Sequence, residues 1–151
     1  MLSKWVVALL VSIIGLGVWI FFHPSYQKSA EGRLYYMIGE YDRAYDRSSE
    51  AFLLDPYNRM ASTIMAQSKM AMKYVRYNED ARKYKKEIHR IAAQPNVSDQ
   101  ERSKIKMMTN IVIDGHGKLA SSVVIDQSLI DEANEHYRQF KKLHDELVSP
   151  R

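Results

Sequence analysis

The longest uninterrupted apolar run in the chain, WVVALLVSIIGLGVWIFF, extends from Trp5 to Phe22 and carries no charge. From about residue 25 the pattern changes to apolar positions three and four apart, the period of helices with one buried face. Gly39, Asp55-Pro56, Pro95 and Gly115-His116-Gly117 punctuate this part. The spacing predicts helices over about 25–38, 41–54, 58–75, 78–93 and 98–114, and a last one starting near Lys118 or Ser128. Proline disfavours helical geometry in the residue before it, which ends the second helix at Asp55. Ser98-Asp99-Gln100-Glu101 is a capping-box pattern that starts the fifth. Ala81, Tyr84, Ile88 and Ile91 form one apolar stripe, and Ile130, Ala133, Tyr137, Phe140, His144 and Leu147 form another. No segment sustains the alternation of a strand, and the apolar triplets at 111–113 and 123–125 are too short to argue a sheet. The predicted class is all-α. Short connections favour antiparallel neighbours, so three consecutive helical hairpins are expected.

The apolar run is close to the ~20 residues that cross ~30 Å of hydrocarbon. Trp5 at one end and Trp19, Phe21 and Phe22 at the other sit where interfacial aromatic belts lie. A cleaved signal peptide would want small residues next, but HPSYQKSA places Lys28 there. Gly15 and Gly17 lack the spacing of a helix-pairing motif. The expectation is a single-span anchor over residues 1–24 and a helical domain over 25–151. Lys4 and the α-amino group nearly balance Lys28 and Arg33, with a lean towards a cytoplasmic N-terminus and an extracytoplasmic domain, periplasmic in a bacterium.

The stretch GEYDRAYDRSSEAFLLDP, starting at Gly39, places small and aromatic residues at fixed intervals before a proline. Gly32 and Ala44 suit a close approach of two helices, where a larger side chain would force them apart. Gly39 suits a left-handed helix end, and Pro56 ends the next helix. Gly32, Tyr35, Gly39, Tyr41, Ala44, Ala51 and Pro56 fall on the signature positions of a 34-residue unit starting at residue 25, and this unit resembles a tetratricopeptide repeat. Lys28 and Ser48 depart from the pattern, standing where an aromatic and a large apolar residue are usual. A second unit starting at Arg59 has Ala66 in the first small position but needs an insertion before Ala81, and a third keeps little beyond Gly115. The resemblance implies a short α-solenoid of about three hairpins, with the last helix as its terminal cap.

It also implies a concave groove lined by the first helix of each hairpin: Tyr26, Ser29, Arg33, Tyr36 and Met37, then Met60, Thr63, Gln67, Met70 and Ala71. Tyrosine offers contact area and methionine adaptability, a mixture suited to an extended or helical partner segment. The implied role is a membrane-tethered, non-catalytic adaptor or scaffold that binds a partner protein and helps assemble a membrane complex, such as a flagellar motor, secretion or pilus machine. A small structural subunit working mainly through its transmembrane helix is the alternative. Ser29 and Arg33 stand where family members that clamp a C-terminal carboxylate carry Lys and Asn, so that activity is not implied.

Composition narrows the chemistry. The absence of cysteine excludes disulfides, thiolate catalysis and cysteine metal sites. Residues 59–96 carry nine Lys and Arg against three Asp and Glu, whereas the flanking segments are near neutral or slightly acidic. Such polarity suits an acidic partner or anionic lipid heads. RKYKKEIHR at 82–90 has the clustered cations that phosphate contacts need, but no nucleic-acid motif accompanies it, and none is expected to bind. His136 and His144 are eight residues apart with Glu132 and Glu135 nearby, and no HExxH occurs, so a metal site or an enzyme built on them is the weaker reading. DGHGK at 114–118 lacks the spacing and preceding strand of a phosphate loop, and Asp42 and Asp46 share their turns with Arg43 and Arg47. No catalytic residue, cofactor, metal or small-molecule substrate is expected.

Overall fold

The computed structural model of the chain describes residues 4–120 and 125–148. Its described residues form six helices and no strand: α1 (Lys4–Phe22), α2 (Pro24–Met37), α3 (Tyr41–Leu54), α4 (Arg59–Ala92), α5 (Asp99–His116) and α6 (Gln127–Val148). Packing divides the chain into two units, Met1–Lys69 and Met70–Arg151. The apolar triplet at 123–125 begins outside the described residues.

The expected membrane anchor is overturned. No helix among the described residues is long and apolar enough to cross a membrane. The most apolar of these helices, α1, has 19 residues and begins with Lys4. At ~1.5 Å per residue it reaches ~28 Å, just under the ~30 Å of hydrocarbon. The rings of Trp19 and Phe21 lie outside the described side chains. The single-span anchor over 1–24, the extracytoplasmic placement of 25–151 and the alternative of a working transmembrane helix fall with it.

In the first unit, Pro24 opens α2 from an extended His23, its fixed φ suiting the first helical position. At the other end, Gly39 has φ +82°. Its N–H bonds the Tyr36 carbonyl at 3.1 Å and the Glu40 N–H bonds the Tyr35 carbonyl at 2.9 Å, which closes α2 with a Schellman motif and turns the chain into α3. The two helices then pack closely. A Cβ on Gly32 would lie 3.2 Å from the Ala44 carbonyl and 3.3 Å from the Ser48 nitrogen, and closest of all to the Ser48 hydroxyl. Ala44 and Ala51 are fully buried. Both departures from the repeat pattern follow from this contact. Ser48 is small because it lies against Gly32, and Lys28 reaches across the hairpin to pair with Glu50. Arg47 joins them, 3.2 Å from Glu50 and 3.3 Å from Glu31. Lys28, followed by Arg47, holds the Glu50 carboxyl below the usual carboxylate range.

The end of this hairpin is tied by a buried polar knot. Asn58 precedes α4, and its side-chain oxygen accepts the Ala61 N–H at 3.2 Å, an N-terminal cap. Its amide nitrogen donates to the hydroxyls of Ser25 (2.9 Å) and Ser29 (3.2 Å). Ser25 donates onward to the Ala51 carbonyl at 2.9 Å, and Ser29 to the Tyr26 carbonyl at 3.1 Å. The starts of α2 and α4 and the last turn of α3 thus share one hydrogen-bonded cluster in which every buried polar side chain has a partner.

The expected break near residues 76–77 does not occur, because α4 is a single helix of 34 residues. It contains no glycine or proline. Asn78, a residue that often competes for local backbone groups, sends its amide instead to the Leu129 carbonyl at 3.1 Å and to Glu132 at 3.4 Å. The second of three hairpins is therefore absent, and the solenoid of three hairpins is replaced by one hairpin, one long helix and the pair α5–α6. Ala66, expected at a helix-packing position, is exposed, since α4 runs on past it without reversing. Ala61, Ile64 and Ser68 are buried in its place.

In the second unit the buried residues include Ala71, Tyr74, Ala81, Ile88 and Ile91 of α4, Ile105, Met108 and Val112 of α5, and Ala133 and Phe140 of α6. The capping box is present, with the Glu101 N–H bonding the Ser98 hydroxyl at 3.2 Å and the Ser98 N–H bonding the Glu101 carboxylate at 2.9 Å.

Two stability predictions follow from the first unit. Asn58→Ala removes the cap and strands two buried hydroxyls, and denaturant unfolding should register a loss of about 1–3 kcal/mol. Ser48 Oγ has no hydrogen-bond partner, so Ser48→Ala should be neutral or stabilising, and Gly32→Ala, costing about 1–3 kcal/mol alone, should cost less in the Ser48→Ala background.

Candidate functional site

Because Asn58 bonds Ser25 and Ser29, α2 and α4 start from the same point of the first unit. Between them lies an open groove of about 520 Å³. Its α2 wall is made by Arg33, Tyr36 and Met37, and its α4 wall by Arg59, Met60, Thr63 and Gln67, with buried Ile64 at the base. Of the residues expected in a groove, Arg33, Tyr36, Met37, Met60, Thr63 and Gln67 are brought together here. Tyr26 does not line the cavity, Ser29 is buried in the polar knot, Met70 belongs to the second unit, and Ala71 is fully buried there.

The remaining hairpin residues hold the walls. Tyr36 packs edge-on against Tyr41 with ring centroids 5.3 Å apart, which fixes its ring at the groove margin. Tyr35 is half-buried beneath the Arg43 guanidinium, 5.7 Å from its ring centroid. Pro56 lies exposed in the turn after α3, where Asp55 accepts the Tyr57 N–H at 2.9 Å.

The groove combines an apolar base with two guanidinium groups. Neither Arg33 nor Arg59 forms an ion pair among the described residues. Met37 is 71% exposed, so a thioether is presented directly to solvent. Arg59, Ile64 and Asn58 were not among the residues singled out from sequence. The signal for Asn58 was its place immediately before a helix, whereas Arg59 and Ile64 required knowing which face of α4 turns towards α2.

Two histidines of the second unit, His116 and His136, serve packing. His116 stacks on Tyr137 at 4.4 Å, bonds the Asn134 side chain at 3.0 Å and meets the edge of Tyr77. His136, expected on a surface-facing helix, is 7% exposed, and it lies 3.3 Å from Glu132, which also pairs with Arg82. Among the described residues no three His, Asp or Glu side chains converge on a point that could hold a metal ion. The Tyr77 hydroxyl is buried without a partner. Burial, and then the neighbouring Tyr137, push its pKa up to about 12.

No protein-family model, no curated protein and no solved structure matches this chain.

The raised Tyr77 pKa has a definite sign. Its neutral form is favoured in the folded state, so the contribution is complete below the ordinary value of 10.0 and is lost as pH rises towards about 12. Unfolding measured across that range should show a steeper alkaline loss for the native chain than for Tyr77→Phe. At neutral pH the same substitution should leave stability unchanged or raised, because it removes an unsatisfied buried hydroxyl.

Proposed function

We propose that this chain is a non-catalytic adaptor that holds a short segment of a partner protein in the groove between α2 and α4, and through it helps assemble a multi-protein complex. The observation that carries this reading is the convergence of Arg33, Tyr36 and Met37 with Met60, Thr63 and Gln67 around one open cavity. Tyrosine, methionine and arginine are enriched at protein interfaces, and this site combines all three. Thioether and aromatic surface suits the apolar side chains of an extended or helical segment, and Arg33 and Arg59 suit a carboxylate carried beside them. The polar side chains around the groove are two guanidiniums, an amide, a hydroxyl and a phenol, a set without the paired acid and base of hydrolytic chemistry.

We read α2–α3 as a tetratricopeptide-like hairpin that serves as the rigid wall of this site. Gly32, Ala44 and Ala51 support that reading through close packing, and Gly39 through its left-handed turn.

A photo-crosslinking amino acid at Met37, which is exposed, should capture the partner in cells of the source organism, and the captured protein can then be titrated against purified chain. Thr63→Trp, which fills the groove, and the double substitution Arg33→Glu with Arg59→Glu should each weaken that binding by about tenfold or more while leaving the thermal melt unchanged. Undiminished affinity in both variants would remove the groove from consideration.

A further inference from the structure

A second cleft lies in the Met70–Arg151 unit, between the end of α4 and the middle of α5, with a volume of about 510 Å³. Its apolar side is formed by Tyr84, Met107, Met108 and Ile111. Met107 is 55% and Ile111 44% exposed, so this side is open to a partner. Lys83, Lys86, Arg90 and Lys104 surround it, and Glu87 is the one acid among the lining residues.

Glu87 is already committed. It accepts two hydrogen bonds from Arg90 at 2.8 Å and one from Lys104 at 2.7 Å, and these cations hold its pKa at about 2. The neighbouring Glu101 is engaged by Ser98 in the capping box. Lys83 and Lys86 form no ion pair among the described residues and leave the cleft strongly cationic.

We propose that this cleft is a second docking site, and that its occupant is an acidic amphipathic helix of a partner protein. Charge complementarity selects the acid: a helix flanked by Asp and Glu would supply the anions that Lys83 and Lys86 lack. The exposed thioether and aliphatic side chains select amphipathicity, since an apolar helix face laid into a methionine-lined groove is an established recognition mode. A single-stranded nucleic acid would need a series of stacking rings, and Tyr84 is the one aromatic side chain here.

The test uses the full chain and a fluorescent peptide with Leu on one helical face and Glu on the other. Its counterparts are the same peptide with Lys replacing Glu, and an all-polar Glu peptide. The acidic amphipathic peptide should bind saturably and more weakly as salt is added, and neither counterpart should match it. Lys83→Glu with Lys86→Glu, and separately Ile111→Asn, should each weaken binding about tenfold or more at an unchanged melting temperature. Lys83→Gln with Lys86→Gln serves if charge reversal disturbs folding. Thr63→Trp should have no effect, which separates this cleft from the groove of the first unit. Absence of binding, equal binding of the Lys peptide, or loss of binding in Thr63→Trp alone would overturn the proposal. Self-association in sedimentation that Ile111→Asn abolishes would do so too, by assigning the cleft to a second copy.

Discussion

The first unit depends on one side chain with three hydrogen bonds. Asn58 uses both amide hydrogens on the hydroxyls of α2 and its oxygen on the first turn of α4, while Ser25 passes the link to the end of α3. A buried amide without those partners would destabilise the fold, whereas one with all of them favours a single arrangement of three helices. The groove between α2 and α4 is built on it, because both of its walls belong to helices whose starts share this polar cluster. Apolar packing of Gly32, Ala44 and Ala51 brings α2 and α3 together, and the amide determines where α4 departs.

Much of the α2–α3 hairpin was legible in the chain because its determinants are local. A glycine with positive φ, small residues at the helix contact and a proline in the following turn each act within a few residues of their own position. The capping box at Ser98 is local in the same sense. Even the departures at Lys28 and Ser48 belong to the same contact, one as a cross-helix ion pair and the other as room for Gly32.

What was not legible depended on distant partners. The continuity of α4 through Asn78 is accompanied by bonds to α6 51 and 54 residues away, which the local spacing does not announce. Ala66 reads as a packing residue only if a reversal follows it. Ser25 carries no signal of its own and Ser29 reads as a groove position, because nothing in their neighbourhood announces an amide 33 and 29 residues away. The groove is an intermediate case. Its residues were implied by the repeat resemblance, whereas the inclusion of Arg59 and the exclusion of Tyr26 and Met70 are seen only in the cavity itself.

Side-chain amides are among the heat-sensitive groups of proteins, which gives the burial of Asn58 a bearing on how the molecule ages. Hydrolysis at this position would exchange a double donor for a carboxylate, so chemical wear at one site would reach three helices at once. Asn96 and Asn110, by contrast, are exposed and anchor no comparable cluster. With no exposed surface at all, Asn58 is denied the water that such hydrolysis consumes, and the durability of the unit is then set by how rarely its hairpin opens.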